Sequence, residues 1–329
     1  MKIKEIYRPI QKEIDKVEAL LRLSLNAGKY ASILKINNYL LDAKGKRLRP
    51  ALVILSAKAA QDEHADLKGC QLANIAAAME LIHMASLVHD DIIDKAKLRH
   101  NKPTVNYKWG SDVSIALGDY LYSIAFELIS GCANTDVLEC ISSAMKSMCE
   151  GELVQVLERD NLNLLRQRYL VIVKKKTASL FAASCRAGSI LVSDNRARHN
   201  ALKDYGLNFG IAFQILDDCL DLIGKEEELG KTPGADFKMG ELTLPVLNLL
   251  SQGNDGNRIL ALMKEQNTEK AFRQIRERFI GSDALERTKK DISFYIRRAK
   301  KSLDRLSKSC FKDSLSALAD YVAEKLEND

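Results

Sequence analysis

Two clusters of aspartates carry the chemistry in this sequence. Asp90, Asp91 and Asp94 close an apolar run that begins near Leu72, and Asp217, Asp218 and Asp221 close a second, which ends in Phe213-Gln-Ile-Leu216. On a helix, residues three and four apart share a face, so Asp90 and Asp94 point one way with Asp91 beside them, and the second triplet repeats the geometry. Like charges at this spacing destabilise a helix by roughly a few tenths of a kcal/mol. Two such clusters on apolar helices therefore call for a cation. Carboxylate oxygens suit a hard ion such as Mg²⁺, which keeps waters and links one or two carboxylates to substrate phosphates. The pair reads as a two-sided clamp for a diphosphate. A solvated acidic patch at a helix end is the plainer account of one triplet, since acidic residues are even favoured in a first turn. Two copies, each after a mostly apolar stretch, weigh against it.

Basic residues stand where an anion would need them. Gly45-Lys-Arg-Leu-Arg-Pro50 sets three cations beside a glycine, ahead of an apolar helix through Ala60 with Pro50 in its first turn. Free N–H groups and basic side chains at a helix start make an anion site, although short basic turns are also common on surfaces. The polar loop from Lys95 to Asn106 follows directly on the first aspartates, and Lys174-Lys-Lys-Thr177 precedes Leu180-Phe-Ala-Ala. The stretch from Gly224 to Leu244 leaves the second cluster, and its glycines and proline resist helix formation. Loops of that length in compact domains are mostly functional, so a flap over the second cluster is expected.

Helices must position these groups. Periodicity predicts amphipathic helices over residues 3–25 (Ile6, Ile10, Ile14, Val17, Leu20, Leu21) and about Tyr30 to Leu41. Mostly apolar helices follow from Val113 to Ser130 and over residues 137–158, the latter with Glu150, Glu152 and Gln155 near its far end. The second aspartate helix is expected from Leu202 to Leu222, with charged amphipathic helices from 255 to 329. The five prolines fall at positions 9, 50, 103, 233 and 245 and no Gly/Ser/Pro-rich linker occurs, which predicts one continuous all-α domain over 1–329. A net charge of +6, spread along the chain, suits an anionic substrate. Its basic residues are not interleaved with aromatics, which argues against a nucleic-acid partner. The seven cysteines form no C-x-x-C pair and read as reduced thiols of a cytoplasmic protein. No signal pattern is visible, and no apolar run is read as long enough to span a membrane.

Taken together, Gly45-Lys-Arg-Leu-Arg-Pro50, Asp90-Asp-Ile-Ile-Asp94, Lys176-Thr177, Phe213-Gln214, Asp217-Asp-Cys-Leu-Asp221, Gly230-Lys231, Asp236 and Thr243-Leu-Pro245 resemble the trans-isoprenyl diphosphate synthases, or polyprenyl synthetases. The motifs cover roughly residues 40–250 in the family's order. The resemblance implies an all-α bundle around a deep central cavity, a homodimer, and Mg²⁺-dependent condensation of an allylic diphosphate with isopentenyl diphosphate. It implies three Mg²⁺ per substrate-loaded site, held by Asp90, Asp91, Asp94 and Asp217 with Asp218 and Asp221 in support. Arg99, Lys176 and Lys231 would neutralise the departing diphosphate. Lys46, Arg49 and His83 would bind isopentenyl diphosphate, and Thr177 and Gln214 would flank the carbocation. Breaking the allylic C–O bond leaves a diphosphate anion and a cation, so fixed positive charge and exclusion of water are what the chemistry needs.

Two departures from the family stand out. His100 occupies the place of a second arginine that helps to bind isopentenyl diphosphate, and imidazole donates fewer hydrogen bonds. Glu241 stands where a lysine is common. Chain length in the family is set by bulky residues four and five positions before the first aspartate, and here these are Ser86 and Ala85, one helical turn below Asp90. An open tunnel and a product of thirty to fifty carbons, for a quinone side chain handed to membrane enzymes, are the family's implication, with Ile82 or the facing Ser123 and Phe126 as a deeper floor. Ordinary close packing also explains small residues there. A geranylgeranyl-type synthase, a terpene cyclase and the regulatory subunit of a heteromeric synthase are the alternatives. A cyclase ordinarily carries a second metal motif with Asn, Ser and Glu, and a regulatory subunit tends to lose aspartates, whereas all six are present here.

Overall fold

The computed structural model describes residues 2–42, 45–61, 69–99, 101–224, 233–251, 256–265 and 269–328. The chain opens with α1 (Ile3–Ile6), a short 3₁₀ turn (Arg8–Ile10) and α2 (Gln11–Leu25). The single helix expected over 3–25 is therefore broken, because Pro9 lacks the N–H that would continue the ladder. Its apolar face survives the break: Ile6, Ile10, Ile14, Val17, Leu21 and Leu25 are all buried. α3 (Ala31–Leu41) and α4 (Leu48–Ala60) follow, and Pro50 sits in the first turn of α4 as expected.

α5 (Gly69–Ile93) is the central helix, packed on α2, α4 and α7 (Ser111–Ser130). Ile75, Leu81 and Ile82 are fully buried within it. Burying such side chains contributes about 1.5–3 kcal/mol each, which helps offset the polar groups that α5 also buries. By length and composition α5 and α7 could each cross a membrane, contrary to the sequence reading; 67% of the apolar window of α5 is buried, so its apolarity serves the core. Between the two helices, the loop expected over 95–106 holds a two-residue ladder, β1 (Leu98–Arg99) against β2 (Lys102–Pro103), and a short α6 (Val105–Trp109). Asn101, at φ 59°, supplies a left-handed residue to the hairpin turn.

α8 (Thr135–Leu157) leads to α9 (Arg166–Val173), which runs through a π turn (Lys174–Ala178) into α10 (Ser179–Ile190). α11 (Arg196–Ile223) begins six residues earlier than the apolar pattern indicated, because the Asn195 side chain caps it by accepting from the N–H groups of Ala197 and Arg198. After it come α12 (Ala235–Lys238), α13 (Leu244–Leu250), α14 (Gly256–Lys264), α15 (Glu269–Ile280), α16 (Asp283–Ser302) and α17 (Cys310–Asn328). α10 packs on both α4 and α11, and α11 also packs on α16. One apolar cluster runs through the bundle from Ile6 to Val322. α4 and α10 each contact both α5 and α11, and so hold the two aspartate helices apart.

Candidate active site

The first aspartate motif sits where α5 stops. Lys95 takes a left-handed φ of 51°, its N–H bonds Ile92 O at 3.1 Å, and the Ala96 N–H bonds Asp91 O at 3.0 Å. This is a Schellman closure, and it satisfies the last carbonyls of the helix as the chain turns away. The turn sends the hairpin back over the motif, where Arg99 Nε donates to Asp91 Oδ1 at 2.8 Å. Asp91 is buried at 4% exposure, so this pair fixes Arg99 as much as Arg99 fixes it. Asp90 and Asp94 are half-buried. Burial first, and then the neighbouring carboxylates Glu152 and Asp94, push the Asp90 carboxyl up to about 7 against the pull of Lys176 and Arg99. Asp94 accepts from Arg159 Nη2 at 2.6 Å.

On α11, Asp218 and Asp221 face inward, 5% and 2% exposed, whereas Asp217 is half-buried. Tyr169 OH donates to Asp218 Oδ2 at 2.5 Å, and Gln214 Nε2 donates to Asp218 Oδ1 at 2.7 Å. Gln214 Oε1 in turn accepts from Thr177 Oγ1 at 2.7 Å. Tyr169, Asp218, Gln214 and Thr177 thus form one hydrogen-bonded chain. It fixes the amide of Gln214, with its oxygen toward Thr177 and its NH₂ toward Asp218. The π turn presents Lys176 and Thr177 from consecutive positions, and such single-turn bulges recur at functional sites. Gly151 of α8 permits it: a Cβ there would lie 2.3 Å from the Lys176 backbone nitrogen.

Lys176 Nζ pairs with Glu152 Oε2 at 2.5 Å. Burial works against its charge, yet Asp90, Glu152 and Glu241 hold it well above the usual lysine range. The basic turn before α4 divides its labour. Arg47 faces inward and pairs with Glu18 at 2.5 Å and Glu80 at 2.8 Å, tying α2 to α5. Arg49 is buried with its guanidinium 4.4 Å from the Phe181 ring centre, and burial pulls it down to about 10. Its Nε has no hydrogen-bond partner among the described residues. The charge of Glu80 pulls the other way, so the guanidinium lies between an aromatic wall and a carboxylate. Lys46 is lowered by desolvation and pulled back by Asp217, which puts it within the field of the second motif. His83 is half-buried, two turns before Asp90 on the same face of α5.

Ala85 is fully buried, and Ser86 Oγ turns back to His83 O at 2.9 Å, so neither adds bulk below Asp90. Ser123 and Phe126, expected as a deeper floor, lie instead on the outward face of α7, because Leu121, Ile124 and Ala125 take the buried face. Phe126 is 40% exposed. Tyr122 feels both Asp90 and Cys149, and so stands between α5 and α8. His89 is a packed residue, its ring against Gly118 and its Nε2 3.2 Å from Ile115 O. Cys219 is fully buried, its thiol pushed up to about 12.

His100 and Lys231 lie outside the described residues, as does most of the expected flap. The described end of that stretch is packed, and apart from one short helix it is irregular as expected. α12 buries Phe237 against Phe272 with ring centres 5.9 Å apart, and Gly234 at φ 78° leaves no room for a side chain beside Phe272. The Gly234 and Asp236 N–H groups bond Asp221 O and Oδ2 at 3.0 and 3.2 Å. Sequence reasoning missed Arg159, Tyr169 and this anchoring, since Arg159 and Tyr169 pair with residues 65 and 49 positions away and the anchoring joins α11 to a segment beyond its end.

The donor set fits a hard divalent cation. It is all carboxylate oxygen, and the burial that raises the Asp90 carboxyl is what a bound cation would oppose. Among the described residues no three His, Cys, Asp or Glu side chains converge closely enough to enclose an ion by themselves.

Residues 31–278 match the family model described as polyprenyl synthetase. Heptaprenyl diphosphate synthase component 2 of Bacillus subtilis (strain 168) is 34% identical over 325 residues, covering 99% of this chain and 91% of that protein. The geranylgeranyl diphosphate synthase of Methanosarcina mazei is 36% identical over 305 residues, covering 88% and 89%. Among solved structures, a polyprenyl synthase from Caulobacter crescentus CB15, complexed with calcium and isoprenyl diphosphate, superposes with a TM-score of 0.92 at 35% identity, covering 98% of this chain and 97% of that one.

Proposed function

This chain belongs to the polyprenyl synthetase family, and we propose that within it the protein makes a product longer than twenty carbons. It is a trans-prenyl diphosphate synthase, a prenyltransferase whose substrates are isoprenyl diphosphates. The observation that carries the length reading is the absence of bulk one turn below Asp90, where Ala85 is fully buried and the Ser86 hydroxyl folds back on its own helix.

In the mechanism we infer, Asp90, Asp91, Asp94 and Asp217 would hold divalent metal, Mg²⁺ by our reading, with Asp91 also gripping Arg99. When bound, the metal would supply positive charge that binds the allylic diphosphate and stabilises it as a leaving group. Lys176, kept charged by its carboxylate neighbours, meets the diphosphate oxygens as the C–O bond breaks, with Arg99 beside the first motif. Lys46, Arg49 and His83 take the second diphosphate, a reading supported by the pull of Asp217 on Lys46 and by the buried place of Arg49 beside Phe181. Thr177 and Gln214 hold fixed dipoles toward the developing cation. Asp218 and Asp221 serve by orientation: Asp218 holds Gln214, and Asp221 anchors the segment entering α12.

We also infer a homodimer. α7 is an apolar helix with only 39% of its window buried, and Ile115 and Phe126 on α7 with Leu153 and Leu157 on α8 are 40–82% exposed. A second copy covering that face is supported by the area it leaves apolar. A cytoplasmic location is supported by Cys132, Cys140, Cys185 and Cys219, which are buried free thiols.

The test is to incubate purified protein with Mg²⁺, labelled isopentenyl diphosphate and geranyl, farnesyl or geranylgeranyl diphosphate, then size the dephosphorylated products. Chains beyond twenty carbons support the reading. Products stopping at fifteen or twenty carbons overturn it in favour of a short-chain synthase. No incorporation by the lone protein favours a two-chain enzyme, as the name component 2 of the Bacillus relative indicates for that protein.

A further inference from the structure

Arg159 stands just past the end of α8 and joins two carboxylates that belong to different halves of the site. Its Nη2 donates to Asp94 Oδ1 at 2.6 Å and its Nε to Glu241 Oε1 at 2.9 Å. Glu241 also accepts from Gln155 Nε2, one turn earlier on α8. The backbone repeats the connection, since the N–H of Asp160 bonds Gly240 O at 3.0 Å. Glu241 closes the segment that begins at Gly234, and that segment hangs from Asp221 of the second motif through the Gly234 and Asp236 N–H groups. A continuous path therefore runs from Asp221, along residues 234–241, through Arg159, to Asp94 at the end of the first motif.

We propose that Arg159 is a positioning residue that holds Asp94 in competition with the metal, and that Glu241 sets how strongly it competes. This rests on the reading of Asp94 as a metal-binding carboxylate. The relative burial decides the order of events. The Arg159 and Glu241 side chains are 16% and 11% exposed, whereas Asp94 is 33% exposed. The Arg159–Glu241 pair thus lies in the lower dielectric and is the harder to separate. A metal ion arriving at Asp94 displaces the weaker, outer arm of the guanidinium, while Glu241 and the turn at Asp160 keep Arg159 in place. Once Asp94 has gone to the metal, Glu241 remains the partner that keeps this cation neutralised. A glutamate at 241 has a purpose here that a lysine could not fill, because a lysine would repel Arg159 and leave it wholly to Asp94.

The competition makes predictions of opposite sign. Glu241→Gln removes the inner carboxylate, turns the full guanidinium charge on Asp94, and should raise the half-saturating metal concentration by about fivefold, the scale of one partly exposed ion pair. Arg159→Gln frees Asp94 and should lower it by about the same factor, while reducing kcat because Asp94 loses its orientation. Arg159→Lys keeps the charge without the fork and should fall between the two. In the Arg159→Gln background the Glu241→Gln shift should vanish.

The experiment measures Mn²⁺ binding with inorganic diphosphate, by loss of the free-ion EPR signal against a protein-free control, alongside Mg²⁺-dependent turnover and a thermal melt for each variant. Opposite shifts in Mn²⁺ half-saturation, abolished in the double variant, support the inference. Equal Glu241→Gln shifts with and without Arg159 would mean that Glu241 acts by its own field, and overturn it. Unchanged Mn²⁺ binding in both Arg159→Gln and Arg159→Lys, with melting temperature alone affected, makes Arg159 merely structural. A wild-type protein that condenses substrates while the variants bind metal like wild type sinks this inference alone; one that binds no Mn²⁺ with diphosphate sinks the metal clamp with it.

Discussion

Tyr169→Phe probes whether the hydrogen-bonded chain behind the π turn positions catalytic groups. The substitution removes one hydroxyl and leaves the ring, so it opens almost no cavity. What it takes away is a 2.5 Å bond between two buried partners, Tyr169 at 4% and Asp218 at 5% exposure. A hydrogen bond to a charged group is worth about 1.5–3 kcal/mol, and the loss falls on the desolvated carboxylate. Asp218 keeps Gln214 Nε2, at 2.7 Å, so the lower end of that range is the expectation for stability. The unfolding midpoint in urea should fall with an unchanged slope, the mark of lost stability rather than altered compactness. Turnover should fall as well, because Gln214 can now rotate toward Asp218 and leave Thr177; a misplacement worth 1.4 kcal/mol is roughly tenfold in rate. Tyr205→Phe is the control. It removes an equally buried bond, from the hydroxyl to Leu315 O at 2.6 Å, far from the aspartates, and should lower stability by about 1 kcal/mol without changing kcat. If both variants lose stability and neither loses turnover, the chain from Tyr169 to Thr177 supports the fold and positions nothing.

Three further perturbations test the site from other directions. Asp90→Ala should reduce turnover by about a hundredfold or more, the scale of losing an electrostatic stabiliser, while the melting temperature holds or rises, since a desolvated carboxyl crowded by Glu152 and Asp94 is removed; wild-type turnover would refute the clamp. Ala85→Phe should shorten the product, measured by chromatography of the dephosphorylated chains, and an unchanged length would end the tunnel argument. Gly151→Ala forces a methyl to within 2.3 Å of the Lys176 nitrogen and should cost about 1–3 kcal/mol in denaturant unfolding together with most of the activity; a stable, active variant would show that α8 and the π turn separate freely.

Helical periodicity and the two aspartate triplets made the architecture legible, because both are local signals. Buried Ile6, Ile10, Ile14 and Val17 fall where the 3.6-residue repeat puts them, even across the break at Pro9. Local signals failed where a long-range partner decides the structure. The Arg47 side chain looked like one of three phosphate-seeking cations; Glu18 and Glu80, 29 and 33 residues away, turn it into the core. Ser123 and Phe126 sat at a plausible depth along α7, but a helix phase cannot be read from an almost continuously apolar stretch, and the true phase turns them outward.

The π turn shows why composition alone could not reveal the site. Lys174-Lys-Lys-Thr177 has no propensity that favours i→i+5 bonding, and as an isolated peptide it would not adopt it. The tertiary neighbours impose it. Gly151 allows the backbone of α8 to approach, Glu152 draws Lys176 to one side, and Gln214 draws Thr177 to the other. A regular α-helix would rotate residues after the bulge by about 100° relative to a turn with one extra residue, so the same sequence without the bulge could not send Lys176 and Thr177 to these partners while α10 keeps Phe181 under Arg49. The cost of the irregular turn is met by contacts that also aim the catalytic side chains, which is why the fold and the chemistry at this point cannot be altered separately.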